Sequence, residues 1–319
     1  MIDVLSMTLP RFMRPIQRYL DDVQVGEILL NGPDEVFVER DGQLSRVAGT
    51  FSHPDELNAL IRHISQCLGR PFDEGHPFLD GHLPDGSRIH VVHHCLHRRG
   101  HCVAIRKFSR QKIDASTLIH LGTLTEAQVE VIIRAVEAGS SLLVAGGTGT
   151  GKTTLLNVFS QSIPSHERVV MIEDAAELRL GSPHLVRLET RPATPEGLPE
   201  VGFRDLLKSA LRLRPDRIVV GEVRGAEAFD LIQAMCTGHR GCMATIHAGS
   251  PGQALRRLQV LASMAGVPVH PGILRAQIAE SIDMVVQIDR LPNGRRVITE
   301  IWGKEKIQEM SHQAGEGNT

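Results

Sequence analysis

Residues 141–159 read SLLVAGGTGTGKTTLLNVF: an apolar run, a glycine-rich loop and a run with helical spacing. The loop matches GxxxxGK[ST], the pattern of a phosphate-binding loop. Its glycines let the backbone turn tightly enough to aim N–H groups at phosphate oxygens, and the amino end of the next helix adds positive potential. We therefore expect it to bind ATP. The predicted nucleotide-binding residues are Gly146, Gly147, Thr148, Gly149, Thr150, Gly151, Lys152, Thr153 and Thr154.

Two side chains of this loop have individual roles in the prediction. The ammonium group of Lys152 is placed to reach the β- and γ-phosphates, and the hydroxyl of Thr153 is placed to ligate Mg²⁺. ATP and Mg²⁺ are thus the expected cofactors. A chance glycine-rich turn is the alternative, but the apolar strand before the loop and the helix after it are the context that the motif requires.

Beyond the loop, short apolar runs alternate with segments of helical spacing, which favours an α/β fold with a mostly parallel sheet covered by helices. The predicted strands are 141–145, 169–173, 185–189, 217–222 and 242–246. The predicted helices cover about 126–138, 152–162, 203–213, 226–235 and 252–264. Near the carboxyl end, Asn293-Gly294 between two apolar runs predicts a hairpin.

Two of these strands end in acids: Glu173 closes VVMIE, just before Asp174, and Glu222 closes RIVVGE. Ligands of such sheets sit at the carboxyl ends of parallel strands. Phosphoryl transfer needs a group that orients the attacking water and an acid on the metal side. We assign the first role to Glu173 and the second, holding Mg²⁺ partly through water, to Glu222. The alternative is that either acid caps a helix or lies on the surface.

The segment TGHRGCMATIHA, residues 237–248, contributes two histidines. His239 lies in a turn flanked by glycines, and His247 follows an apolar strand. Either imidazole is a candidate to contact the γ-phosphate or its attacking water, with a structural role as the alternative.

Composition excludes several classes of protein. The 319 residues carry a net charge of −2 and only 3% aromatic residues, so neither a basic footprint nor base-stacking platforms for nucleic acid are expected. The five cysteines form no CxxC pair and are expected to be free thiols. No secretory signal and no transmembrane run is predicted. These features favour a cytoplasmic protein held at a membrane by its partners.

The region from about residue 20 to 110 predicts a small α/β domain. Residues 35–40 (EVFVER) alternate before an Asp41-Gly42 turn, and residues 55–68 have helical spacing. Residues 88–95 and 101–108 are predicted to be paired strands.

Four runs in a fixed order resemble the ATPases of type II and type IV secretion systems. They are SLLVAGGTGTGKTTLLN, ERVVMIEDAAEL, ALRLRPDRIVVGEVRGAEAFDLIQAM and TGHRGCMATIHAGSP. They look like the Walker A motif, acidic box, atypical Walker B motif and histidine box of that family. The likeness covers roughly residues 25–303. It is strongest to the motor ATPases of tight-adherence (Tad or Flp) pili, with conjugation and type IV secretion ATPases next.

The resemblance implies a RecA-like P-loop domain at residues 125–307. It also implies a smaller PAS-like α/β domain at 1–112 that caps the nucleotide, a linker at 113–124 and a flexible tail at 308–319. It further implies a homohexameric ring that hydrolyses ATP, lies at the inner face of the cytoplasmic membrane and works on inner-membrane platform proteins, without direct contact to nucleic acid. The acidic-box and Walker B glutamates match Glu173 and Glu222. The histidine-box residues match His239 and His247.

Arginines are also implicated. The resemblance matches Arg88 and Arg106 to family arginines that reach the bound phosphates, a role suited to guanidinium groups. Surface arginines on a hairpin are the alternative. Arg224 is a further candidate to face the nucleotide or a subunit boundary. Three departures stand out: Arg240 replaces an acid usual in the histidine box, His93-His94 replaces prolines, and a longer amino-terminal extension of many pilus motors is missing.

The stretch 90–102 is rich in histidine and cysteine. If it forms strands, His90 and His94 share one face while His93, Cys95 and His97 share the other, and a turn brings His101 and Cys102 near. A metal site is geometrically possible. However, the spacing matches no standard zinc module and the resemblance implies no metal here, so the sequence disfavours zinc.

Three other functions remain open beside a pilus or secretion motor. One is a DNA-handling motor in conjugation, which DNA-stimulated turnover would reveal. Another is a scaffold that binds ATP but barely hydrolyses it, suggested by Arg240. The last is a small-molecule kinase, which would need a phosphoryl acceptor.

Overall fold

The computed structural model describes residues 4–40, 42–47, 51–107, 113–174, 177–191, 193 and 197–316. The chain forms two compact units. Unit 1 comprises Met1–Gln111 and Ala193–Glu200, and unit 2 comprises Lys112–Pro192 and Val201–Thr319. The predicted domain boundary at residue 112 and Asp41 of the predicted turn lie outside the described residues.

Unit 1 is built on an antiparallel sheet. Its described strands are β1 (Val25–Asn31), β2 (Val36–Arg40), β3 (Gln43–Val47), β4 (Phe78–His82), β5 (Arg88–Val92) and β6 (Cys102–Arg106), in the order β3-β2-β1-β6-β5-β4. The helices of this unit are α1 (Val4–Met13), α2 (Gln17–Asp21) and α3 (Pro54–Leu68). The apolar stripe of α3 faces the core of the unit, because Leu57, Leu60, Ile61 and Ile64 are all buried there.

The β5–β6 connection differs from the sequence prediction. Strand β5 ends at Val92 rather than at Cys95, and His94–Leu96 form a 3₁₀ turn. The Nδ1 atom of His93 accepts the backbone N–H of Cys95 at 3.3 Å. A local side-chain acceptor of this kind competes with strand pairing, which explains the early end of β5. Phe108, at the end of the second predicted strand, lies outside the described residues.

Unit 2 contains a mixed sheet. Its described strands are β7 (Leu142–Gly146), β8 (Val169–Glu173), β9 (Leu185–Glu189), β10 (Arg217–Val220), β11 (Met243–His247), β12 (Met284–Arg290) and β13 (Arg296–Gly303), in the order β13-β12-β7-β11-β10-β8-β9. Each neighbouring pair is parallel except β12 and β13, the hairpin predicted at Asn293-Gly294.

Helices cover both faces of this sheet. They are α4 (Ala115–His120), α5 (Glu126–Glu137), α6 (Lys152–Ser160), α7 (Phe203–Ala210), α8 (Glu227–Cys236), α9 (Pro251–Ser263), α10 (Pro271–Ser281) and α11 (Lys304–Glu316). Alternate residues of β7 belong to different cores: Leu143 and Ala145 to one, Leu142 and Val144 to the other. A sheet buried on both faces leaves only its strand ends open to a ligand.

Three helices of unit 2 were not predicted. Helix α10 was missed, although His270 caps its start and Leu274 and Ile278 give it a buried face. The predicted linker contains α4, whose Leu118 joins the core of unit 2. The predicted flexible tail continues as α11 to Glu316, because Ile307 is buried in the core and Met310 packs against it. Residues 317–319 lie outside the described part. No described helix is long and apolar enough to cross a membrane.

Candidate functional site

The glycine-rich loop joins β7 to α6 at the carboxyl edge of the sheet in unit 2. Gly149 and Gly151 have φ angles of 70° and 96°, a region that residues with a side chain rarely adopt. Gly146 approaches β12 so closely that an added Cβ would lie 2.4 Å from the carbonyl oxygen of Ile288. Glycine is therefore required at these positions by the backbone path. That path leaves Gly147, Thr148 and Gly149 exposed and begins α6 at Lys152.

Lys152 lies almost wholly inside the loop, with 7% of its surface exposed. Its Nζ donates to the carbonyl oxygen of Gly147 at 2.7 Å and lies 3.3 Å from Nδ1 of His247. His247 is brought here because β11 pairs in parallel with β7, which sets His247 opposite Gly146. Two motifs separated by about a hundred residues thus meet at one strand end.

His247 also contacts Glu222. Its Nε2 lies 2.7 Å from Oε1 of Glu222, on the side of the ring away from Lys152. An ammonium group only donates, so a neutral ring accepts at Nδ1 and carries its proton at Nε2. Burial lowers the pKa of His247, and the Lys152 ammonium lowers it further against the opposing effect of Glu222. The neutral form is therefore favoured.

Glu222 lies just beyond β10, which ends at Val220 and not at residue 222 as predicted. Its Oε2 accepts Nε and Nη2 of Arg224 at 2.8 and 2.5 Å. Its Oε1 is buried and, although close to His247, has no partner with hydrogen-bond geometry among the described residues. Arg224 in turn places Nη1 3.7 Å from Oδ2 of Asp174. Acids from two strand ends and one arginine thus form a continuous charged group.

Glu173 ends β8, beside Gly221, the residue that follows β10. Its side chain is 3% exposed, and Oε1 accepts the backbone N–H groups of Glu177 and Leu178 at 3.0 and 2.7 Å. Burial raises the pKa of Glu173 to about 7, and the two backbone hydrogen bonds oppose that shift. A carboxyl group with a pKa near neutrality can both hold and release a proton under working conditions.

His239 is not part of this group. It precedes the amino end of β11, whereas the glycine-rich loop lies at the carboxyl end. The strand between them spans about 13 Å at ~3.3 Å per residue. Neighbouring Gly241 instead packs against Arg217, the first residue of β10. The expectation that His239 contacts the γ-phosphate therefore fails within one chain.

Arg88 and Arg106 lie in unit 1. They are register partners on the antiparallel strands β5 and β6, so the structure brings them side by side. Arg106 also has Nε 3.8 Å from Oε1 of Glu27 on β1. Like charges directly opposite each other are unfavourable in a sheet, and an anion held between them would offset the repulsion.

Two residues at the site were given no role from the sequence. Arg296 of β13 donates through Nε to the carbonyl oxygen of Gly149 at 3.1 Å, across 147 residues of chain. Asp174 is exposed and contacts Arg224, whereas the sequence reasoning chose its neighbour Glu173. The position of Asp174 at a strand end was the available signal; Arg296 had none.

The residues present fit a magnesium–nucleotide complex. The backbone around Gly146 and Gly151 matches the requirement for a side-chain-free phosphate cradle. The buried, unsatisfied Oε1 of Glu222 offers an oxygen of the kind that Mg²⁺ and its water ligands accept. Thr153 follows Lys152 in the first turn of α6 and is half-buried.

Comparison of the sequence with known families gives a match over almost the whole chain. The profile described as "Type II/IV secretion system protein" matches residues 12–315. A putative conjugal transfer protein of Mycobacterium tuberculosis is 37% identical over 281 residues, which cover 86% of this chain and 79% of that protein. The type IV secretion system protein PtlH of Bordetella pertussis is 32% identical and covers 92% and 95%.

Solved structures show the same fold. The VirB11 ATPase of the Brucella suis type IV secretion system has a TM-score of 0.51 and 28% identity, covering 97% of this chain and 98% of that one. The ATPase DotB of Legionella pneumophila has a TM-score of 0.69 and 21% identity, with 96% and 87% covered. The predicted fold class is confirmed: α/β, with a carboxyl-terminal RecA-like P-loop domain and a smaller amino-terminal α/β domain.

Proposed function

The chain belongs to the type II/IV secretion system protein family, and from this we propose that it hydrolyses Mg·ATP to drive a pilus-assembly or secretion machine. One observation carries the proposal: Lys152 of the loop after β7, His247 at the end of β11 and Glu222 just beyond β10 form a continuous chain of contacts. A chance glycine-rich turn would not bring a histidine and an acid from two other strands to its lysine.

Each residue has a role that its position supports. Lys152 is already aimed along the loop and would exchange its bond to the Gly147 carbonyl oxygen for phosphate oxygens. Thr153 and Glu222 would hold Mg²⁺, the latter partly through water. When bound, Mg²⁺ neutralises charge that develops on the phosphate oxygens. The backbone N–H groups of Gly146–Thr154 would bind the remaining phosphate oxygens.

Glu173 is the proposed acceptor of the proton of the attacking water. Its raised pKa lets the carboxylate take that proton near neutral pH and return it to solvent. His247 is a positioning residue, because its two ring nitrogens contact Lys152 and Glu222. Arg224 contacts the other carboxylate oxygen of Glu222 and also Asp174. We expect the Arg224 side chain to leave both acids when Mg²⁺ binds.

Two machines remain candidates. The tight-adherence pilus is suggested by the motif resemblance. A conjugation or type IV secretion system is favoured equally by the names of the relatives, among them a conjugal transfer protein and PtlH. In either case we place the ATPase at the inner face of the cytoplasmic membrane through platform proteins.

Introducing Lys152→Ala into the source cells separates the two machines. Loss of surface pili with DNA transfer intact supports the pilus, and loss of DNA transfer with surface pili intact supports conjugation.

The ATPase itself is tested by Lys152→Ala in the purified chain. We expect turnover to fall by at least about 100-fold, the usual effect of removing a preorganised charge from a phosphoryl-transfer site. Nucleotide affinity should fall as well. Phosphate release and calorimetric titration with Mg·ATP measure the two effects.

The matched control is Lys208→Ala, since Lys208 is an exposed lysine on α7 of the same unit. Both variants should melt at similar temperatures, which shows that the fold is intact. Equal hydrolysis by Lys152→Ala and by the unmodified chain would refute the site.

A further inference from the structure

Three imidazoles of unit 1 converge at the β5–β6 connection. One ring nitrogen from each of His93, His94 and His101 lies within 4.8 Å of the others. Their ring centroids are 4.2 to 4.9 Å apart. His93 and His101 are 8% and 7% exposed, and His94 is exposed to solvent. The cluster belongs to a different unit from the glycine-rich loop, and the proposed ATPase does not use it.

The fold positions the three rings from two directions. His93 and His94 follow the end of β5, and His101 immediately precedes β6. The early end of β5 is decisive: in a continuous strand His93 and His94 would point to opposite faces, whereas here their rings are in contact. Phe72 packs against His93 and His101 at centroid distances of 5.1 and 5.3 Å. The rings are therefore held by packing, and the cluster opens to solvent on the His94 side.

We propose that His93, His94 and His101 bind a divalent transition-metal cation of the zinc type. Three imidazoles are a common protein ligand set for zinc, with a fourth position left for water or another ligand. Imidazole nitrogen selects zinc, copper, nickel or iron over magnesium and calcium, which prefer oxygen ligands. The site is thus distinct in its metal preference from the magnesium site proposed in unit 2.

Two acids lie near the cluster. Burial and the His94 ring lower the pKa of His93, and the carboxylates of Glu74 and Asp73, on the loop after Phe72, oppose that shift. Both acids are exposed, but Oδ1 of Asp73 accepts the backbone N–H of His76 at 2.8 Å, so Glu74 is the candidate to turn toward a bound ion. They supply a negative field and a candidate fourth ligand.

Metal binding requires a small rearrangement. Ligand nitrogens of a tetrahedral zinc ion lie about 3.4 Å apart for Zn–N bonds of about 2.1 Å, so the rings must close together. Nδ1 of His101 now accepts the N–H of His94 at 3.1 Å, and Nδ1 of His93 accepts that of Cys95 at 3.3 Å. A cation at Nε2 of a neutral ring moves its proton to Nδ1, and a cation at Nδ1 displaces the N–H donor. Either way the ion replaces these two long hydrogen bonds.

The test uses the full chain without a histidine tag, stripped with a chelator and saturated with Mg·ADP to fill the nucleotide site. Zn²⁺ is titrated by calorimetry, and Co²⁺ by its visible absorption, which reports tetrahedral coordination. We expect one ion per chain and a higher melting temperature with Zn²⁺. His94→Gln and His101→Gln should each weaken Zn²⁺ binding at least about tenfold and abolish the Co²⁺ bands.

His90→Gln is the matched control. His90 lies on β5 of the same hairpin, is exposed and contacts Asp80 rather than the cluster. Its replacement should leave Zn²⁺ affinity unchanged. Because His94 is exposed, His94→Gln tests the site even if His101→Gln fails to fold. Absence of Zn²⁺ uptake, or equal affinity in His94→Gln and the unmodified chain, would overturn the proposal and leave a cluster of three imidazoles packed on one another.

Discussion

His247 is the residue on which the geometry of the proposed nucleotide site depends most. It contacts the Lys152 ammonium through Nδ1 and the Glu222 carboxylate through Nε2. Removing the ring leaves both groups without their positioning contact. We expect His247→Ala to lower kcat by roughly 10- to 100-fold, the range typical for residues that orient a catalytic group. Steady-state phosphate release at saturating Mg·ATP measures the change.

His239→Ala is the control within the same motif. His239 lies at the other end of β11, so its replacement should leave kcat within about twofold in an assay of the purified chain. A loss of kcat as large as that of His247→Ala would contradict the separation of the two histidines.

Glu173 should make stability depend on pH. Its pKa is raised from 4.5 to about 7 in the folded chain. Between these values the folded state binds more protons than the unfolded state, so the free energy of unfolding falls as pH rises. A shift of this size corresponds to roughly 3 kcal/mol between the two limits. In Glu173→Gln this decrease should vanish. Urea unfolding at several pH values from 4.5 to about 8 measures it.

The same titration should appear in catalysis. If the Glu173 carboxylate accepts the proton of the attacking water, as proposed, kcat/KM of the unmodified chain should rise with an apparent pKa of about 7. Glu173→Gln should retain ATP binding with little turnover. Glu189→Gln, which changes an exposed acid on the neighbouring strand β9, should keep both pH dependences. If Glu173→Gln keeps them as well, Glu173 is not the titrating group.

The hairpin of β5 and β6 is the element that places two arginines together. The register of β5 and β6 pairs Arg88 with Arg106. Their positive charges repel each other at this position. We propose that phosphate oxygens of a bound nucleotide, on this chain or an adjoining one, offset that repulsion. Arg106→Gln should then lower kcat/KM for Mg·ATP by about 10-fold or more.

Arg99→Gln is the comparison for this element. Arg99 is an exposed arginine on the loop between the same two strands, and its Nη1 donates to Oε2 of Glu35 at 3.2 Å. Its kcat/KM should match that of the unmodified chain. Equal kinetics for both variants would show that the arginine pair does not act on the nucleotide.

For the whole molecule, the expectation is a ring assembled by identical chains. A ligand that binds only the assembled ring shifts the equilibrium from single chains toward the ring by mass action. Light scattering with a non-hydrolysable ATP analogue should therefore detect a species of about six times the 35.0 kDa of one chain. Lys152→Ala should lack the response to nucleotide. A monomer under all conditions, at concentrations where the analogue is bound, would count against the ring.

The sequence predicted much of unit 2, and the reasons are local. Strands β8 and β9 have the predicted bounds. Strand β8 is an apolar run that is buried along its whole length, and β9 is an alternating run at the edge of the sheet with Arg187 and Glu189 exposed. The glycine-rich loop could be identified because its positive φ angles and its close approach to β12 both require glycine. Helix α10 was missed because its polar residues obscure a short buried face, and α11 because its stability comes from core contacts such as Ile307 rather than from its polar sequence.

The sequence alone was thus sufficient to predict the α/β fold class, the position of the glycine-rich loop between β7 and α6, and the acids at strand ends. Only the tertiary structure decided which distant residues meet. Parallel pairing of β11 with β7 brings His247 to Lys152 and carries His239 to the opposite edge. The turn after β5 turns His93 and His94 toward His101. Strand order and register set these contacts, and both arise from packing between segments that lie far apart in the sequence.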